Sequence, residues 1–190
     1  PWRIFMRKGR YHEKVTIDRA NLHLRGENRE EAILSFDDCS GTPAPGGSTL
    51  GTRGSATLTI RAPGFSAEHI TIENCFDYPA NALRAENDPA KIAHPQAVAV
   101  MISAGGDRIS FADCVISGFQ DTLFPDAGRS LFSRCCILGH VDFIFGAGQA
   151  LFEECEIVSR DRPGKNPSGY ITAPSTSAAY PYGFLFIACR

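Results

Sequence analysis

The sequence predicts an all-β chain wound as a parallel β-helix, a solenoid of short strands, and three observations predict it. A Phe-x-x-Cys mark recurs, ending at Cys39, Cys114, Cys135, Cys155 and Cys189, with an Ile-x-x-Cys variant ending at Cys75. The spacings between these cysteines are 36, 39, 21, 20 and 34 residues. A repeat of roughly twenty residues marks a solenoid in which each coil buries its apolar face on the next. The two short spacings read as single coils, the longer ones as coils with insertions or as two coils. The third observation is that no stretch carries a sustained helical period with caps.

Taken in order, the segments at 56–61, 69–74 and 97–102 alternate or run β-branched, and Gly and Asn-Asp clusters punctuate them. Coils in register would stack like on like, Phe over Phe and Cys over Cys. A cysteine at one position of each coil is then a small buried hydrophobe. Neighbouring thiols in such a column lie within bonding reach, which leaves one disulfide open. The vicinal pair Cys135-Cys136 should place one side chain inward and one outward.

Composition narrows the function. The 190 residues suffice for one domain with a real core. A net charge of -2 carries no nucleic-acid signature. No apolar run is long enough to span a membrane, no signal peptide is visible, and no Cys-x-x-Cys pair or His cluster points to zinc. The chain opens on Pro1-Trp2-Arg3-Ile4-Phe5-Met6, which reads as mid-strand, and stops at Arg190 straight after a repeat mark. The expectation is a single domain, 1–190, truncated at both ends.

The chemistry concentrates where the repeat is most regular. Asp121 follows Cys114 by seven residues and Asp142 follows Cys135 by seven, so the carboxylates lie 21 residues apart in matching positions. Neighbouring strands are ~4.8 Å apart, which stacks the two side chains. Two close carboxylates cannot both ionise easily, so one pKa rises. The ionised one can attack a carbonyl and the protonated one can serve a leaving alcohol. Gln120 and Gln96 are the candidate donors to an oxyanion. Phe119, Phe124 and Phe145 could line a groove for sugar rings. Other readings stand beside this one. An Asp in a turn can simply bond nearby backbone, Phe columns can be core, and stacked carboxylates can hold Ca²⁺, although two are thin ligation. His140, next to Val141, is expected to point away from Asp142 and is given no role. Asn166-Pro167-Ser168 is not a glycosylation acceptor, because proline fills its middle position.

Two of these stretches carry a resemblance. Gln120-Asp121-Thr122-Leu123 and Gly139-His140-Val141-Asp142-Phe143-Ile144-Phe145-Gly146 resemble the two most specific signatures of the pectin methylesterases. The segments at 7–15, 22–27 and 55–57 are similar to the family's opening strands and pre-catalytic turn. The segment at 170–176 looks like the one after the catalytic turns in bacterial members. The resemblance implies a right-handed parallel β-helix that hydrolyses the C6 methyl ester of polygalacturonate to methanol and a carboxylate. It implies Asp142 as nucleophile and Asp121 as acid and then base. Gln120 and Gln96 would serve the oxyanion hole, with Phe124, Val141 and Phe145 against the substrate. It implies no metal and no organic cofactor, methylesterified homogalacturonan and water as partners, a monomer, and a secreted or periplasmic location. The family's Leu-Gly-Arg-Pro-Trp segment, whose Arg orients the nucleophile, has no counterpart in this sequence. Arg162 follows Cys155 by the same seven residues, but Arg162-Pro163 precedes the 170–176 segment and reads as an exposed loop. Two further readings are a β-helix lyase or glycoside hydrolase on polygalacturonate, which leaves the glutamines unexplained, and a non-catalytic carbohydrate-binding scaffold.

Overall fold

The computed structural model describes residues 2–162 and 169–190; Pro163 and the Asn166-Pro167-Ser168 sequence lie outside the described residues. The chain coils three strands at a time. The first coil is β1 (Trp2–Met6), β2 (Gly9–His12) and β3 (Val15–Ile17). The second is β4 (Leu22–Gly26), β5 (Ala32–Phe36) and β6 (Leu58–Ile60), with a single helical turn α1 (Gly51–Gly54) before β6. The third is β7 (Ser66–Glu68), β8 (Thr71–Asn74) and β9 (Val100–Ile102), with α2 (Tyr78–Leu83) before β9. The fourth is β10 (Ile109–Ala112), β11 (Val115–Ser117) and β12 (Leu123–Pro125). The fifth is β13 (Arg129–Ser133), β14 (Cys136–Gly139) and β15 (Ile144–Gly146). The sixth is β16 (Gln149–Glu153), β17 (Glu156–Ser159) and β18 (Thr172–Pro174), and β19 (Phe184–Ile187) opens a seventh.

Like strands of successive coils pair in parallel, giving one seven-stranded and two six-stranded sheets. The result is the parallel β-helix that the repeat predicts. Register runs Ile4 to Leu24 to Ala67 to Phe111 to Phe132 to Phe152 to Phe186. Along this column the long steps, from Leu24 to Ala67, from Ala67 to Phe111 and from Phe152 to Phe186, are each one coil with an insertion.

The Phe-x-x-Cys mark has a local cause. The residue before each column cysteine turns the first corner in the left-handed region: Asp113, Arg134, Glu154 and Ala188 all have φ of 52–53°. One such residue bends the chain sharply, so the phenylalanine before it and the cysteine after it both face inward. Phe111, Phe132, Phe152 and Phe186 stack with ring centroids 5.3, 4.9 and 4.5 Å apart. Cys114, Cys135 and Cys155 are buried free thiols. The hydrogen bond with Cys114, reinforced by burial, pushes the Cys135 thiol up to about 12, and Cys136 is only half-buried, as the alternation predicts.

Two marks are false members of this column. Phe36 ends β5 in a different sheet, opposite Asn74, and stacks on His12. Ile72 lies in that same sheet, so Cys75 is exposed and Cys39 packs in a satellite cluster with Phe76, Tyr78 and Ala97. In the third coil the column position is taken by Ile70, which follows the left-handed His69. The strands at 56–61, 69–74 and 97–102 are present, each trimmed at its start to the residues that find ladder partners.

The insertions between β5 and β6, between β8 and β9 and between β17 and β18 all leave from the corner between the second and third strands. Asn74 ties the first two down: its buried amide nitrogen donates to the carbonyls of Asp38, Ser55 and Val98 at 2.8, 3.2 and 3.2 Å. The Ser55 hydroxyl accepts from the Val98 N–H at 3.1 Å. These bonds fix the chain leading from Gln96 into β9.

Candidate active site

Both aspartates sit at this second corner, Asp121 between β11 and β12 and Asp142 between β14 and β15. They are one coil apart in register, since Leu123 pairs with Ile144 two residues beyond each. Each turns the corner with a positive φ, 64° for Asp121 and 48° for Asp142. Asp occupies that region more readily than most residues, though still at a cost of about 1 kcal/mol or more. The turn peptides are locked by the coil ladder: the Asp121 N–H donates to Val141 O at 3.1 Å and the Asp142 N–H to Tyr170 O at 2.8 Å. Backbone atoms therefore hold the corners, and the carboxylates are spare. Among the described residues no ion pair reaches either one.

The two carboxylates feel each other. Burial first, and the neighbouring Asp142 charge second, push Asp121 up to about 7. Asp121 thus keeps a proton in a range where ordinary carboxylates have lost theirs. The Asp121 shift comes from where its side chain stands, not from its residue type.

The other predicted residues gather at the same corner. Gln120 is half-buried, and its carbonyl accepts from the Ala97 N–H at 3.1 Å, which places Gln96 and Gln120 on adjoining coils. The Gln96 Oε1 is buried with no partner among the described residues. A buried polar atom without a partner calls for an explanation, and a polar group that arrives with substrate is one. Just past the aspartates, Phe124 and Phe145 stack with centroids 4.1 Å apart and planes 15° apart on the outer face of the third-strand sheet. The Arg53 guanidinium lies 5.1 Å from the Phe124 ring centre. Val141, 9% exposed, is beside Gln120 in the stacking. All seven predicted site residues are thus brought to one edge of the coil. No group of three or more His, Cys, Asp and Glu side chains among the described residues is placed to hold a metal.

Two expectations about neighbours need correction. His140 is not a strand residue: β14 ends at Gly139, and His140 lies in the corner that carries Asp142. Its ring is fully buried against Tyr78 of α2, centroids 4.3 Å apart and edge-on, with Phe119 at 5.5 Å. Neither ring nitrogen has a partner among the described residues. Burial, with Arg162 and Arg160 nearby, pulls the imidazole down to about 4. Nor is Arg162 an exposed loop residue: it is half-buried and its Nε donates to the Tyr78 hydroxyl at 3.1 Å. The insertion after β17 shifts it out of the aspartate register, and Tyr170 takes the place above Asp142. Tyr78 was not legible in the sequence, because it lies in an insertion with no repeat to index it.

With the corner laid out, comparison with known proteins becomes decisive. The family model described as pectinesterase matches residues 2–190. The chain belongs to the pectinesterase family. Pectinesterase A of Dickeya dadantii is 47% identical over 193 residues, covering all of this chain and 53% of that protein. A pectin methylesterase crystallised in complex with a hexasaccharide superposes with a TM-score of 0.98 at 47% identity, covering all of this chain and 56% of that one. The pectin methylesterase of Yersinia enterocolitica gives 0.98 at 44% identity, covering all of this chain and 60% of that one. The chain thus spans a little over half the length of these pectinesterase relatives.

Proposed function

We propose that this pectinesterase-family chain carries the reacting carboxylates of a hydrolase that removes C6 methyl esters from methylated polygalacturonate. The observation that carries the proposal is the aspartate pair: in register, free of cation partners among the described residues, and with Asp121 pushed up by burial and by the charge of Asp142. Asp142 attacks the ester carbonyl carbon as a carboxylate. Protonated Asp121 gives its proton to the departing methoxide, releasing methanol and leaving an acyl group on Asp142. Asp121, now ionised, takes a proton from water as the water attacks that acyl group. The polymer carboxylate departs, and Asp142 is free again. Gln120 and Gln96 donate to the oxyanion of each tetrahedral step without adding charge that would compete with the nucleophile. The Phe124–Phe145 stack and Val141 offer an apolar wall to sugar rings. The scheme uses no cofactor.

The relative bound to a hexasaccharide supports an oligosaccharide-sized groove. A polymer substrate too large to enter a cell supports action outside the cytoplasm, and no described helix is long and apolar enough to cross a membrane. The test is methanol release from highly methylated pectin by the protein containing this chain, beside its Asp142→Asn variant. Release by the parent, with a loss of ~10³-fold or more in the variant and unchanged circular dichroism, is expected. A folded variant that still releases methanol at the parent rate would overturn the assignment of Asp142.

A further inference from the structure

The first-strand sheet carries a second constellation of reactive groups, away from the aspartate corner. In β4 and β7, neighbours in that sheet, His23 lies directly opposite Ser66 and Arg25 opposite Glu68. The His23 Nδ1 is 2.8 Å from the Ser66 hydroxyl oxygen, and its Nε2 is 3.2 Å from Glu68 Oε1. Ser66 and Glu68 are two residues apart on one strand and so share its outer face.

The hydrogen-bond chemistry fixes the direction of this chain. Ionised Glu68 can only accept, so Nε2 must carry the ring proton. In the neutral imidazole, Nδ1 is then an acceptor, and the Ser66 hydroxyl donates to it. Arg25 Nε lies 3.5 Å from the same Glu68 Oε1. A hydroxyl donating to an imidazole whose other nitrogen is held by a carboxylate is the arrangement that activates a serine nucleophile, whatever the fold or chain order. These groups line an open groove of about 540 Å³, with His23 and Glu68 each about 30% exposed, within reach of a small molecule. Arg3, opposite His23 on β1, extends the row and gives the groove a cation for an oxyanion or an anionic substrate group. Phe5, 58% exposed, supplies an apolar wall.

We propose that Ser66, His23 and Glu68 form a second nucleophilic site, which takes small esters bearing an anionic group. Ser66 Oγ forms a bond to the ester carbonyl carbon while its proton passes to His23 Nδ1. The bond to the alcohol then breaks, and the alcohol leaves with that proton. Water, deprotonated by the same nitrogen, releases the acid and restores the serine.

The experiment uses a fluorophosphonate probe on the Asp142→Asn protein, which removes the aspartate chemistry from the background. Ser66 Oγ bonds to phosphorus, fluoride leaves, and the hydroxyl proton passes to His23. Peptide mass spectrometry should find the adduct on Ser66, forming ~10²-fold faster than on other serines, in keeping with one positioned base. His23→Gln should erase that advantage and Glu68→Gln should reduce it, with circular dichroism unchanged in both. In the protein with Asp142 intact, Ser66→Ala should abolish the adduct and leave methanol release from pectin unaltered. Labelling spread evenly over serines, or a Ser66 rate untouched by both His23→Gln and Glu68→Gln, would overturn the proposal and leave a cross-strand polar ladder. Because the readout is the Ser66 adduct, the result is independent of whether the aspartates act on pectin.

Discussion

Replacing Asp121 by Asn should stabilise the protein above neutral pH while removing its activity. Burial and the Asp142 charge hold Asp121 at about 7 against an ordinary 3.8. Between those values the folded chain keeps a proton that the unfolded chain has lost. Stability therefore falls as pH rises through that window and is lowest above about 7. The gap corresponds to about 4 kcal/mol at ~1.4 kcal/mol per pH unit. The carboxylate retains part of its hydration at the corner, which brings the expected effect to about 2 kcal/mol. Asparagine has nearly the same shape and never ionises. Urea unfolding at pH 3.5 and pH 8 reads the effect directly. Relative to the parent, Asp121→Asn should gain about 2 kcal/mol at pH 8 over its value at pH 3.5. Asp142→Asn should recover only the smaller share, because burial is the larger cause. An Asp121→Asn difference that is the same at both pH values would refute the argument, since it would mean that Asp121 titrates alike in both states.

Gln120→Ala should lower the methanol release rate by about 10²-fold with little change in the midpoint of unfolding, the loss typical of one oxyanion donor; a wild-type rate would remove Gln120 from the site. His140, pulled down to about 4, is neutral in the fold while the unfolded ring charges below about 6.5. It supports the fold fully above that value, and the support is lost as pH falls toward about 4. The ring proton resonances of His140 should hold still from pH 7 to pH 5, and a midpoint near 6.5 would contradict its burial. Phe132→Ala opens the middle of the phenylalanine column and should destabilise by about 3–5 kcal/mol in urea unfolding; a loss under ~1 kcal/mol would mean that the neighbouring rings collapse into the gap.

The repeat was readable because a β-helix writes its geometry into the sequence at each coil. An inward phenylalanine, a left-handed corner and an inward cysteine recur in the fourth, fifth and sixth coils, so Cys114, Cys135 and Cys155 index their coils correctly. The same index set Asp121 over Asp142, because the stretch from β10 through β15 repeats at a constant 21 residues. Where an insertion intervenes the index fails. Phe36 and Ile72 imitate the mark from another sheet, and the +7 offset of Arg162 leads to Tyr78 rather than to the aspartates.

The amino-acid sequence by itself therefore determined the solenoid, the period and the pairing of the carboxylates, because those follow from local residue order repeated at fixed spacing. Only the tertiary structure decided that Asp121 holds its proton well above the usual carboxylate range, since that depends on how far this carboxylate is removed from water and on the charge one coil away. It alone decided that His140 is a buried neutral ring in a box with Tyr78 and Phe119, residues 62 and 21 positions away in the chain. It alone brought His23 against Ser66 and Glu68, 43 and 45 residues apart, because the inserted loop between β5 and β6 lies between them in sequence but leaves from another corner in space.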